Sequence, residues 1–196
     1  LSKIPVTPKA LDADIITVSG HKIHALKGVG GIYIKNKGSV KPYILGGGQE
    51  QGLHSGTEAM PAILSFGAAA EEAMKVSENS LYVSGLKKKL VEAISDIPCV
   101  TVNSPEDAIP YIVNISILGL PSQPIVNFMD EKGICISAGS ACKMGHRSPV
   151  LTAMGLSPEI IDSAVRISLS RYNTEEEIDI LISAIKEAAE KYGKKR

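Results

Sequence analysis

Apolar and polar positions along the chain fall into short runs of β type and longer stripes of helical type. Residues 14–19 (DIITVS) and 31–35 (GIYIK) are rich in Ile and Val and bounded by glycine, which predicts two short buried strands. Glycines then crowd LGGGQEQGLHSGTEAMP at 45–61, predicting irregular backbone in conformations that glycine tolerates. Ser55 and Glu58 have capping-box spacing, so a helix is expected to open near Thr57 and run to about Val76. A second helix is expected from about Ser80 to Ile94, with Leu81, Leu86, Leu90, Ala93 and Ile94 on one face. The polar joint Ser77-Glu78-Asn79 between them marks a domain boundary, giving domains 1–77 and 78–196.

Beyond the joint, CVTVNS (99–104) and YIVNISIL (111–118) read as strands, followed by a short helix near 122–131 and a strand at 133–136. A loop leads to a short helix ending at Gly155. In AVRISLS (164–170) Val165, Ile167 and Leu169 face one way and Arg166, Ser168 and Ser170 the other. Thr174 and Glu177 form a capping box for a final helix whose stripe is Ile178, Leu181, Ile182, Ile185 and Ala189. Strands and helices mix throughout, α/β in the first part and α+β in the second.

Composition narrows the function. With 196 residues and 44% hydrophobic, the chain has enough apolar material for a packed core. Twenty-one basic residues balance 21 acidic ones, so no cationic excess is present to displace counterions from nucleic acid. No apolar run reaches the length of a membrane span. Cys99, Cys135 and Cys142 include no C-x-x-C, which argues against a disulfide framework or a zinc site and for reduced thiols in the cytoplasm. The first residue is Leu1 and not Met, as expected of a piece of something longer.

Four segments carry candidate chemistry. SGHK at 19–22 delivers a lysine just after a strand end. A Schiff-base lysine must spend time as the neutral amine, and Ser19 and His21 offer a hydroxyl and an imidazole to a cofactor's oxygens; a solvated loop lysine fits the tetrapeptide as well. The glycine-rich loop 46–58 feeding a helix start, with the hydroxyls of Ser55 and Thr57, suits a phosphate, although it is neither a P-loop nor a Rossmann fingerprint and a flexible structural loop fits it equally. In SAGSACKMGHR (137–147) Cys142 follows tiny residues and precedes Lys143, His146 and Arg147, whose charge favours thiolate; Cys99 and Cys135, inside apolar runs, are expected to be inert core thiols. Arg166, on the polar face of an apolar strand, needs an anionic partner, either a substrate carboxylate or a protein carboxylate.

Taken in order, SGHKIHALKGVGGIYIK, GGGQEQGLHSGTEAMP, ISAGSACKMGHRSPVLTAMG and RISLSRYNTEEEID resemble the cysteine desulfurases of the class V aminotransferase group, pyridoxal-phosphate enzymes of fold type I. The resemblance implies that 1–77 is the C-terminal portion of the large cofactor-binding domain and 78–196 the small C-terminal α+β domain. It implies that Lys22 carries the cofactor as a Schiff base, that Ser19 and His21 contact its phosphate, and that Thr57 reaches the phosphate of a partner subunit in a homodimer. Cys142 matches the mobile-loop nucleophile, and Arg166 the arginine that holds the substrate α-carboxylate. L-Cysteine would yield L-alanine and a persulfide on Cys142, passed to a sulfur-acceptor protein for iron–sulfur cluster assembly or tRNA thiolation.

The chain also departs from the family. Members are about twice as long, and the aspartate that pairs with the pyridine nitrogen belongs to the other half, so the 196-residue chain alone is expected to be inactive. His54 stands where arginine is usual, Ala59 where asparagine is common, and the stretch from Cys142 to Ser148 is short. A related pyridoxal-phosphate lyase or aminotransferase, and an inactive binding module, are the alternatives.

Overall fold

The alternation at 111–118 and 164–170 builds the centre of one half of the chain. The structure, a computed structural model, describes residues 1–138 and 147–194. The chain forms two compact units, Leu1–Glu78 and Asn79–Arg196.

In the first unit a single helical turn, α1 (Pro8–Leu11), precedes β1 (Ile15–Ser19), which pairs antiparallel with β2 (Gly30–Ile34). Helix α2 (Met60–Glu72) lies on this ribbon at Gly31, where any Cβ would stand 3.2 Å from the Phe66 ring. The two strands occur where the sequence predicts them, but they are not buried. Ile15, Ile32 and Tyr33 are exposed, and Ile23 and Ala73 are the unit's buried apolar side chains among the described residues. A two-stranded ribbon with one helix against it has too little facing surface to enclose both of its faces.

Helix α2 starts later than its apparent capping box. Ala59 is the N-cap, with no side-chain hydrogen bond, and Pro61 sits in the first turn. Proline is accepted there because its missing N–H would be unpaired anyway, so Pro61 and not Ser55 sets the start. The Ser77-Glu78-Asn79 joint is helical. After a 3-10 turn at Ala73–Lys75 the chain continues as α3 (Val76–Ile94), since nothing in the joint removes a backbone donor. The buried stripe of α3 is Val83, Leu86, Leu90 and Ile94, while Leu81 is 78% exposed.

The second unit holds a three-stranded antiparallel sheet in the order β3 (Val100–Val102), β4 (Ile112–Ile117), β5 (Ala164–Ser168). One face carries Val100, Val113, Ile115, Ile117, Val165 and Ile167 into the main core, closed by α3, α4 (Ser122–Asp130) and α7 (Glu175–Tyr192). Thr174 and Glu177 complete the predicted capping box, and the α7 stripe is the predicted one widened by Ala184 and Ala188. Two short helices, α5 (Pro149–Ala153) and α6 (Pro158–Asp162), form a satellite cluster of Leu151 and Ile161 with Ala164.

The predicted strand at 133–136 is absent. Gly133, at φ 74°, closes α4, and the chain pairs only at Ser137, which bridges Arg166. Ile134 and Ile136 pack on the core, so Cys135 between them is turned outward and exposed, not the core thiol expected. Cys99 is buried as expected.

Because the core lies under one sheet face, side chains of one type should differ sharply in worth. Ile115, 1% exposed, should cost about 2–5 kcal/mol when replaced by alanine. Ile32→Ala, at a side chain 56% exposed, should stay within about 0.5 kcal/mol. Urea unfolding of the 196-residue chain measures both; equal losses would contradict this placement of the core.

Candidate active site

Lys22 lies on a 3-10 turn, Gly20–Ile23, that follows β1 directly. Its two outer residues are buried and its two inner ones exposed, so Gly20 and Ile23 anchor the turn while His21 and Lys22 project from it. Gly20 donates to Val29 O at 2.9 Å, and a Cβ there would meet Val29 at 2.8 Å, so only glycine allows this approach. Helix α2 supports the turn's exit, where Leu26 N donates to Ser65 Oγ at 3.2 Å. The Ser19 hydroxyl is not used to cap the turn. A hydroxyl, an imidazole and an amine are thus gathered on four consecutive residues, with no acidic partner for Lys22 among the described residues.

The glycine-rich loop belongs to the same unit. Gly48 and Gly52 lie at φ 85° and 81°, and Glu50 and Gln51 join them in the left-handed region at 51° and 59°. Such backbone in residues other than glycine is costly and is held here by local bonds: Gly52 N to Gly48 O and Gly56 N to Gln49 Oε1. Thr57 and His54 are exposed, and His54 forms an isolated bridge with Ile44. Thr57 precedes the helix instead of opening it.

Arg166 lies at the centre of β5, half-buried on the face opposite the core. It forms no ion pair with a protein carboxylate among the described residues, its Nε–H is buried without a partner, and its Nη2 reaches Ser137 Oγ only at 3.4 Å. A buried guanidinium donor left unmet this way costs free energy until an acceptor arrives.

Cys142 lies outside the described residues, as do Lys143 and His146. Both ends of the segment that carries it are tied to one stretch of chain. Ser137 exchanges two backbone hydrogen bonds with Arg166, at 3.1 and 2.7 Å. Arg147 grips Asp162 at the end of α6 through a bidentate fork, Nε to Oδ1 and Nη2 to Oδ2, each 2.7 Å. The fork holds the Asp162 carboxyl below its usual range and the Arg147 guanidinium above its own. Arg147, expected to help charge the thiol, therefore has its cation matched already.

Sequence reasoning missed this fork and the polar row beside Arg166, where Asn114 is its register partner across β4–β5. The sequence signal for the row was present, because Asn114 and Ser116 alternate with Val113, Ile115 and Ile117. Among the described residues no cluster could hold a metal ion, and no helix is long and apolar enough to cross a membrane.

Comparison with known proteins gives a consistent picture. The class-V aminotransferase family profile matches residues 1–181. Cysteine desulfurase 2 of Trichormus variabilis is 38% identical over 183 residues, covering 91% of this chain and 46% of the relative. A NifS-like protein superposes with a TM-score of 0.86 at 34% identity, covering 96% of this chain and 50% of that one. A NifS-like protein from Rickettsia africae gives 0.83 at 36% identity, covering 96% and 51%. The chain spans about half the length of the curated relatives it matches.

The Arg147–Asp162 fork predicts a pH signature. A carboxyl held low in the folded state adds stability above its unfolded pKa and loses it as pH falls through the folded value. Asp162→Asn should therefore be slightly less stable than the parent at neutral pH, because solvent screens an exposed pair, and the small gap should close as pH falls below the ordinary carboxylate range. Urea midpoints across that range test this; a gap that does not vary with pH would exclude the fork as its source.

Proposed function

Because this chain belongs to the class-V aminotransferase family, we propose that the whole protein is a pyridoxal-phosphate-dependent cysteine desulfurase, a homodimer that converts L-cysteine to L-alanine and passes the sulfur on from Cys142. The observation that carries this proposal is Arg166. It is a half-buried guanidinium with no ion pair among the described residues, bonded through its backbone to the residue from which the Cys142 segment departs. The names of the relatives, cysteine desulfurase and NifS-like, support the same chemistry.

The residues present fit the cofactor. The turn at 20–23 offers an amine for an aldehyde carbon, and Ser19 and His21 offer hydrogen-bond partners for a phosphate. Lys22 would hold the cofactor covalently, Ser19 and His21 its phosphate, and Thr57 the phosphate in the partner subunit's site. Bound pyridoxal phosphate supplies an electron sink at the substrate α-carbon.

This chain's residues do the rest. Arg166 fixes the carboxylate and so sets which way the side chain points. Lys22 Nζ, once free of the cofactor, takes the α-proton and later returns one. The Cys142 thiolate attacks the substrate sulfur: an S–S bond forms, the substrate's Cβ–S bond breaks, and the three-carbon skeleton gains a proton and leaves as L-alanine. The persulfide on Cys142 then passes to an acceptor protein serving iron–sulfur cluster assembly or tRNA thiolation. Three thiols with no C-x-x-C suit a reducing compartment, for which we propose the cytoplasm.

In the full-length protein, Cys142→Ala should reduce alanine and sulfide formation at least about a hundredfold while the absorbance of bound cofactor stays. Lys22→Ala should lose both. Alanine formation at the parental rate in Cys142→Ala would return the protein to a lyase that uses no thiol, and formation of the keto acid in place of alanine to an aminotransferase. Arg166→Lys, which keeps the charge but loses the fork, should raise KM for L-cysteine by about 10–100-fold.

A further inference from the structure

We propose that Asn114 is a second donor to the carboxylate held by Arg166, oriented for that role by a buried relay through Asn103 and Ser116. The proposal rests on the desulfurase function above, for it takes the ligand of Arg166 to be the carboxylate of an amino acid.

Asn114 and Arg166 are direct partners across β4–β5. On the other side of Asn114, Asn103 N donates to its backbone oxygen at 2.8 Å. Directly opposed residues share a sheet face, so Asn103, Asn114 and Arg166 form one polar row. Ser137 extends it through its bridge to Arg166. The core side chains Val113, Ile115, Val165 and Ile167 occupy the opposite face.

The relay settles which way each amide points. Ser116 is fully buried, and its hydroxyl donates to Ile160 O at 2.7 Å. Its oxygen is then left to accept, so Asn103 must present Nδ2 to it, at 2.8 Å. The second N–H of that amide goes to Asn114 Oδ1, also at 2.8 Å. Turning the Asn114 amide over would set two NH2 groups against each other. Asn114 is therefore held by its oxygen, and its Nδ2 has no acceptor among the described residues. The arrangement leaves Asn103 Oδ1 buried and unpaired. The orientation is thus kept at the expense of a lost hydrogen bond, as expected where it serves a ligand.

Beside this amide the Arg166 Nε–H is buried without a partner. Two neighbouring groups rich in unmet donors and without a carboxylate between them call for an anion with two acceptor atoms. A carboxylate meets that need, one oxygen on the guanidinium and one on the amide. Because the amide is set before the ligand arrives, little ordering is left to oppose binding.

The test uses the full-length, cofactor-loaded protein and two ligands, L-alanine and cysteamine, the latter having the amine and thiol of the substrate without its carboxylate. Asn114→Ala should weaken L-alanine binding, measured by calorimetry, about tenfold, and raise KM for L-cysteine equally, the loss falling on KM and not kcat. Cysteamine binding should not change. Asn114→Asp, of the same shape but an acceptor, should weaken L-alanine by about a hundredfold. Ser116→Ala, remote from the ligand, should cost about threefold on L-alanine alone by freeing the Asn103 and Asn114 amides. Unchanged L-alanine affinity in Asn114→Ala, or equal losses for L-alanine and cysteamine, would overturn the proposal; should that variant fail to fold, Asn114→Ser is held to the same outcomes. Arg166→Lys run in parallel separates the two claims. If it weakens L-alanine and Asn114→Ala does not, only the role of Asn114 fails; if neither does, the carboxylate is not bound here and the desulfurase function loses its support.

Discussion

The register of β4 against β5 is the constraint on which the second unit and its chemistry both depend. It sets Val113 opposite Ile167 and Ile115 opposite Val165 on the core face, and Asn114 opposite Arg166 on the other. A slip of one residue would exchange the two faces. The guanidinium would then enter a core of Ile and Val, at a desolvation cost far above what any one side chain repays. The same hydrophobic burial that folds the sheet therefore also aims Arg166 away from it.

A second consequence concerns the segment carrying Cys142. Its departure point is the Ser137–Arg166 bridge and its return point is the Arg147–Asp162 fork, so both ends are fastened within residues 162–166. The two fasteners differ in kind. The backbone pair is half-buried and continues the sheet, whereas the fork joins side chains more than half exposed, where an ion pair contributes little in water. The entry to the segment is thus the firmer of its two ends.

The first unit works on another scale. Lys22 is placed by a four-residue turn whose glycine and isoleucine are buried and whose histidine and lysine are not. The backbone closes on itself at Gly20 and Val29, and little else encloses the site within this unit. Its candidate groups accordingly sit on one tetrapeptide, while the second unit's polar row is assembled from residues far apart in the chain, with Asn103, Asn114, Ser137 and Arg166 meeting only because strands pair.

By itself the sequence determined those features that are local or periodic. The alternation of 111–118 and 164–170, the capping box and stripe of α7, and the two strands around SGHK all follow from spacing or residue type. Tertiary structure decided what depends on partners. Pro61 overrode the Ser55–Glu58 cap, the polar joint at 77–79 stayed helical, Cys135 turned outward because its neighbours packed inward, and Arg147 found Asp162. The physical reason is that a side chain's own chemistry is carried by its residue, but its burial, its hydrogen-bond orientation and its counter-charge belong to whichever groups the fold brings against it.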